Sequence, residues 1–269
     1  MPAPRQGARA CLSSSVREVL SSAAMASPGM PAGILVNSSV FILGIQILLK
    51  GLTPGGVAHS WALGTAVYSA FGPGGYLLVC LYFILGSLVT KVKLAQKQKE
   101  GIAEARSGRR QPGSVWGSGL AGMLCAIAAL ATGLSDPWRI GFVASFVSKL
   151  SDTVSSEIGK AYGKTTYLIT TLGRVPRGTE GAISAEGTLA GAGAALAFAA
   201  LAAAIGQVTW RQAAVVAAAA TAANLFESFL GAVLQGQKGS EWLSNDVVNM
   251  IQICIAAALA IGISMAADI

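Results

Sequence analysis

From Ala32 onward the chain is a succession of apolar runs separated by short polar or glycine-proline breaks. The runs lie near residues 32–49, 56–71, 75–90, 114–133, 138–151, 187–206, 211–235 and 246–267. A helix needs about 20 apolar residues to cross the hydrocarbon core of a bilayer. Most runs approach that length, whereas the second and fifth are short enough to be tilted or re-entrant. Thr53-Pro54-Gly55-Gly56 and Gly72-Pro73-Gly74-Gly75 carry turn chemistry. Ser135-Asp136-Pro137 offers a cap followed by proline in the first helical turn. The pattern predicts an all-α, polytopic integral membrane protein of about 6–8 transmembrane helices with a polar active-site loop. Residues 1–31 are expected to be a disordered N-terminal tail and 32–269 a single polytopic membrane domain.

Composition sharpens this picture. Of 269 residues, 53% are hydrophobic and 12% charged, against about 25% charged in an average soluble domain. The 33 glycines suit closely packed membrane helices, where small residues let backbones approach. A single histidine, His59, excludes a multi-histidine metal site and leaves no spare partner for a histidine-based triad. Cys11, Cys80, Cys125 and Cys254 are isolated, with no CxxC spacing, and read as small packing residues.

The net charge of +7 is concentrated. Lys91, Lys93, Lys97, Lys99, Arg106, Arg109 and Arg110 face only Glu100 and Glu104 in one linker. No aromatic residue interleaves them, which argues against nucleic-acid binding; the linker reads as a positive-inside anchor. It places the 152–185 and 236–245 segments on its own side of the membrane and both termini on the other. The first 30 residues, with Arg5, Arg9 and Arg17, are serine-rich and acid-poor. That is transit-peptide composition, unless the segment is a plain tail or translation begins at Met25.

The polar residues that interrupt the apolar runs are clustered. Lys149-Leu150-Ser151-Asp152-Thr153-Val154-Ser155-Ser156-Glu157-Ile158-Gly159-Lys160 closes the fifth run. Asp152 and Glu157, five residues apart, lie about 140° apart around a helix, so they share one ion only if the helix ends or bends between them. Gly159-Lys160-Ala161-Tyr162-Gly163-Lys164-Thr165 falls one residue short of the P-loop spacing and follows no strand. It still sets Lys160, Lys164 and hydroxyls beside carboxylates, the groups that phosphate and its Mg²⁺ require. A second cluster, Thr170-Thr171-Leu172-Gly173-Arg174-Val175-Pro176-Arg177-Gly178-Thr179-Glu180-Gly181, suits guanidinium and backbone contacts to a polyanion. In the third, Glu227 stands inside an apolar run with Asn224 on the same face. A carboxylate there costs about 2.5–3.5 kcal/mol against lipid, so it must face water, a metal or a cation. Asn245-Asp246-Val247-Val248-Asn249 opens the last run as a site element or as its cap.

Ser151-Asp152-Thr153, Ser156-Glu157-Ile158-Gly159, Val175-Pro176-Arg177-Gly178-Thr179-Glu180-Gly181, Glu186-Gly187-Thr188, Glu227-Ser228-Phe229-Leu230-Gly231-Ala232 and Asn245-Asp246-Val247-Val248-Asn249, in this order and spacing, closely resemble the integral-membrane family that contains phytyl-phosphate kinase of plastids and cyanobacteria. The resemblance runs from about Ala32 to the C-terminus. Residues 152–164 are also similar to a pattern of polyprenol kinases and CTP-using cytidylyltransferases. Glu227 stands where relatives outside the photosynthetic branch often carry Asp. The resemblance implies transfer of a phosphoryl group from a nucleoside triphosphate, with CTP a candidate, to phytyl phosphate, giving phytyl diphosphate for tocopherol synthesis in a chloroplast or cyanobacterial membrane. Asp152 and Glu157 are then the expected catalytic pair and, with Glu227 and Asp246, the expected Mg²⁺ ligands. Lys160, Lys164, Thr170, Thr171, Arg174, Arg177 and Thr179 are expected to bind nucleotide and phosphate. An ion-coupled transporter and a cytidylyltransferase acting on a lipid phosphate remain the alternatives.

Overall fold

In the computed structural model, residues 27–104 and 108–269 are described. The expectations for residues 1–26, including the transit peptide, the Met25 start and Cys11, and for Arg106 fall outside them. Each apolar run becomes a helix or a helical arm. The described residues contain α1 (Gly29–Gly51), α2 (Pro54–Thr90), α3 (Leu94–Lys99), α4 (Pro112–Thr132), α5 (Asp136–Tyr162), α6 (Ala185–Ala204), α7 (Trp210–Leu234) and α8 (Asn245–Ala266). A two-residue antiparallel ribbon, β1 (Tyr167–Leu168) with β2 (Ala182–Ile183), pairs Tyr167 with Ile183. Six helices, α1, α2, α4, α6, α7 and α8, are long and apolar enough to cross a membrane.

The Gly72-Pro73 break divides α2. Gly72 takes φ 68°, ψ −163°, a left-handed φ open to glycine at little cost, and Pro73 cannot donate to the preceding turn. The arms fold back on each other. A Cβ on Gly56 would lie 2.5 Å from the Arg110 carbonyl oxygen and one on Gly86 2.6 Å from the Arg110 guanidinium. In an unbroken helix those glycines would be about 45 Å apart. The second and third runs are therefore antiparallel arms of a hairpin.

The fifth run is longer than its apolar part. α5 continues as a helix through the first polar cluster to Tyr162, without a bend between Asp152 and Glu157, and residues 139–152 are buried one after another. It packs against α2, α4, α6, α7 and α8. Surrounded by protein instead of lipid, it tolerates Ser145, Ser148, Lys149 and Ser151 at depths where a lipid-facing helix would not. The α6 interface with it is close: a Cβ on Gly187 would lie 2.6 Å from the Ser155 carbonyl oxygen, so only glycine fits there.

Chain reversals alternate between two ends of the bundle. One end holds Gly72, the α4–α5 turn and Gln207, whose Oε1 accepts from Arg139 Nη1 at 3.3 Å. The other gathers the 91–110 linker, the 163–184 loop and the 235–244 loop, as the charge argument predicts. Two expected caps differ. Ser135 makes no side-chain cap. Ser244, rather than Asn245 or Asp246, caps α8 by accepting from Val247 N at 3.4 Å, which leaves Asp246 available to the site.

Candidate functional site

The polar end of the bundle encloses a cavity of about 470 Å³. α5 supplies the longest wall: Lys149, Asp152, Thr153, Ser156, Glu157 and Lys160 line it, following the three- and four-residue spacing of one helical face. α7 adds Asn224, Glu227 and Ser228, and α8 adds Asn245, Asp246 and Asn249. Ser114 and Ser118 come from α4, Arg109 and Arg110 from the basic linker, and Thr179 and Glu180 from the loop before α6.

At the floor, Lys149 and Asp152 form an ion pair one helical turn apart, both nearly buried. Lys149 also lies within electrostatic reach of Glu227. Glu227 is half-buried and accepts from Ser228 Oγ at 3.4 Å, while its neighbours Leu225, Phe226 and Phe229 are exposed on the outer face. α7 thus turns its carboxylate inward and its aromatic residues toward lipid, as the cost of a membrane-facing charge demands. α7 is tied to α5 by Asn224 Nδ2 donating to Ser151 Oγ at 3.3 Å. Asp246 reaches the cavity beside α4, where a Cβ on Gly113 would lie 2.3 Å from its Oδ2. Asp152 and Glu227, distant in sequence, therefore line one cavity.

The linker is part of the cavity wall. Lys97 has 0% exposure; it pairs with Glu157 and donates to the Thr90 carbonyl at 2.9 Å. Lys93 donates to the Ala161 carbonyl at 3.2 Å and lies 4.0 Å over the Tyr162 ring. The basic run that reads as a positive-inside anchor is, at Lys93 and Lys97, also a structural strap over the end of α5.

Of the residues expected at the site, Asp152, Glu157, Lys160, Thr179, Glu227 and Asp246 line the cavity, and the Glu157 carboxylate is engaged by Lys97. Lys164, Thr170, Thr171 and Arg174 are exposed and do not line it. Arg177 also lies off the wall. Its Nη2 donates to both Glu100 carboxylate oxygens at 2.9 and 2.8 Å, and Nη1 donates to the Lys160 carbonyl at 3.2 Å. Its guanidinium ties the linker to the loop. An exposed pair of this kind contributes up to about 1 kcal/mol. Arg177→Lys is accordingly expected to speed tryptic cleavage within the 91–110 linker by up to about fivefold; unchanged cleavage would deny the strap a role. The sequence marks Lys149 and Asn224 only as members of polar clusters and Arg109 and Arg110 only as part of the basic linker, yet all four line the cavity. Lys149 carried a signal, being one turn before Asp152, whereas the arginines were concealed in a run with a simpler explanation.

The chloroplast protein VTE6 of Arabidopsis thaliana is 49% identical over 240 residues, covering 88% of this chain and 72% of that protein. An uncharacterised membrane protein of Synechocystis is 47% identical over 249 residues, covering 91% and 95%. Another from Methanocaldococcus jannaschii is 34% identical over 191 residues, covering 69% and 75%. No solved structure matches. The family model described as integral membrane protein DUF92 matches residues 37–257. Site-bearing segments from α5 to α8 fall within that match, and the chain belongs to this integral membrane family.

Proposed function

We propose that the protein is a membrane phytyl-phosphate kinase of a chloroplast or cyanobacterial membrane, transferring the terminal phosphoryl group of a nucleoside triphosphate, CTP being the candidate, to phytyl phosphate for the tocopherol pathway. One observation carries the reading: carboxylates and cations from α5, α7, α8 and the linker converge in a single cavity at the end of a bundle whose outer faces are apolar. A phosphorylated isoprenoid makes the same division, its chain in lipid and its phosphate at the water interface. An ion-coupled carrier calls for polar groups near the midplane, whereas these gather at one end. Similarity to VTE6 supports a role in tocopherol synthesis.

The donor set suits Mg²⁺, which takes hard oxygen ligands. Among the described residues no group of three or more His, Cys, Asp or Glu side chains forms a ready-made metal cage. Mg²⁺ is commonly held by one or two carboxylates and completed by substrate phosphates. Asp152 and Glu227 would hold it, with Asp246 at the same cavity; it would neutralise charge building on the transferred group. Lys149 orients Asp152, and Lys160 with Arg109 and Arg110 offers cations to phosphoryl oxygens. A phosphate monoester oxygen is already a nucleophile. As it bonds to the γ-phosphorus, the bond from that phosphorus to the nucleoside diphosphate breaks, and no strong base is needed. Positioning and charge stabilisation are then the chain's main work.

Purified protein in micelles with phytyl phosphate, Mg²⁺ and each nucleoside triphosphate in turn is expected to form phytyl diphosphate, detected by mass spectrometry, and to stop on chelation with EDTA. No diphosphate with any of the nucleotides would overturn the proposal.

A further inference from the structure

Beside the polar cavity lies a second, smaller space of about 110 Å³ between α1 and the arms of α2. Its walls are almost wholly apolar, with Val40 and Leu48 from α1 and Leu63, Val79 and Phe83 from α2. Tyr82, Ser118 and Arg110 line both spaces. The Tyr82 hydroxyl donates to Ser118 Oγ at 2.8 Å, and the Arg110 guanidinium stacks 4.7 Å over the Tyr82 ring and 5.7 Å over that of Phe83. No carboxylate among the described residues pairs with Arg110. A cation held by ring faces, with its fork not spent on an acid and with polar space on one side and apolar space on the other, matches the head of an amphiphile with an anionic group.

We propose that this slot receives the phosphate-proximal part of the isoprenoid chain, with Arg110 at the junction gripping the monophosphate; the inference rests on the kinase reading and adds the acceptor's path. From Leu48 to Val40 the lining covers about 12 Å along α1 at 1.5 Å per residue, enough for the first isoprene units but not for a whole phytyl chain. The remainder lies in the bilayer, which explains how a small slot serves a long substrate. Tyr82, Ser118 and Arg110 form the common wall of slot and cavity, so the two spaces adjoin at the Arg110 guanidinium.

The test is photo-crosslinking, without nucleotide, of the full-length protein in phosphatidylglycerol-containing micelles by phytyl phosphate bearing a diazirine on its second isoprene unit. Label is expected on the peptides around Val40 and Val79, competed by unlabelled phytyl phosphate and not by added phosphatidylglycerol. Cys80→Trp, which fills the slot from its wall, and Arg110→Ala should each cut that label at least tenfold while retaining the wild-type elution volume. Val40→Trp, at an exposed position, provides a second slot-filling variant should Cys80→Trp fold poorly. Label spread over the outer faces of α7 and α8, or competed equally by phosphatidylglycerol, would overturn the slot and leave the kinase reading intact. Specific slot labelling by a protein that forms no phytyl diphosphate would overturn the kinase reading and leave the slot standing as a binding site.

Discussion

Asp152→Asn is expected to lower kcat at least 100-fold, about 2.7 kcal/mol of lost transition-state stabilisation, and to raise the Mg²⁺ concentration needed for half-maximal rate. The substitution keeps the side chain's size and removes the charge from the cavity floor. Two effects then act together. A Mg²⁺ ion held as proposed would lose an anionic ligand from α5, and the buried Lys149 ammonium loses its ion-pair partner, keeping the Glu227 carboxylate within electrostatic reach. Steady-state kinetics across a Mg²⁺ titration, on protein with a wild-type elution profile, checks both effects. Glu227→Gln is expected to shift the Mg²⁺ requirement in the same direction, because its carboxylate enters the same cavity from α7. Near-wild-type turnover and Mg²⁺ dependence in Asp152→Asn would remove this residue from the site.

Lys97→Met should be the most destabilising single change in the linker. Lys97 is fully enclosed and Glu157 is 2% exposed, so removing the ammonium strands a buried carboxylate. Breaking a buried pair on one side costs about 3–5 kcal/mol. Replacing both partners by apolar groups of similar volume is commonly near neutral. Lys97→Met is thus expected to lower the thermal midpoint in micelles and to open the linker to protease, and Lys97→Met/Glu157→Leu to restore most of both. If the double variant is as unstable as the single one, the pair is not what fastens the linker to α5. The comparison also separates the roles of Glu157: a double variant that is stable but inactive would return this residue to the chemistry.

The helices were legible because each has a local signature. Apolar runs marked the membrane helices, and Gly72-Pro73 marked the reversal that makes two arms of α2. The common cavity of Asp152 and Glu227 followed from one physical demand, that a carboxylate in an apolar helix must turn away from lipid. α5 was less legible. Its second half is polar, and its helicity depends on five helices packed around it, information that no local window contains. The linker was hidden for the opposite reason: a basic run beside a membrane helix has an adequate explanation on its own, and only the fold shows Lys97 buried against Glu157. Arg177 shows the same limit, since its composition fits a polyanion clamp while its geometry joins it to Glu100, 77 residues away.

Transfer of the γ-phosphoryl group to a lipid phosphate at the Asp152 cavity can be followed by the position of an isotopic label. Purified protein is incubated with phytyl phosphate, Mg²⁺ and nucleoside triphosphate labelled at either the γ- or the α-phosphorus, and the lipid product is isolated. A kinase places γ-label in phytyl diphosphate and leaves α-label in the released nucleoside diphosphate, and Asp152→Asn is expected to suppress the transfer. Alpha label in the lipid, which marks nucleotidyl transfer, or no label in the lipid from either nucleotide, would contradict the kinase reading.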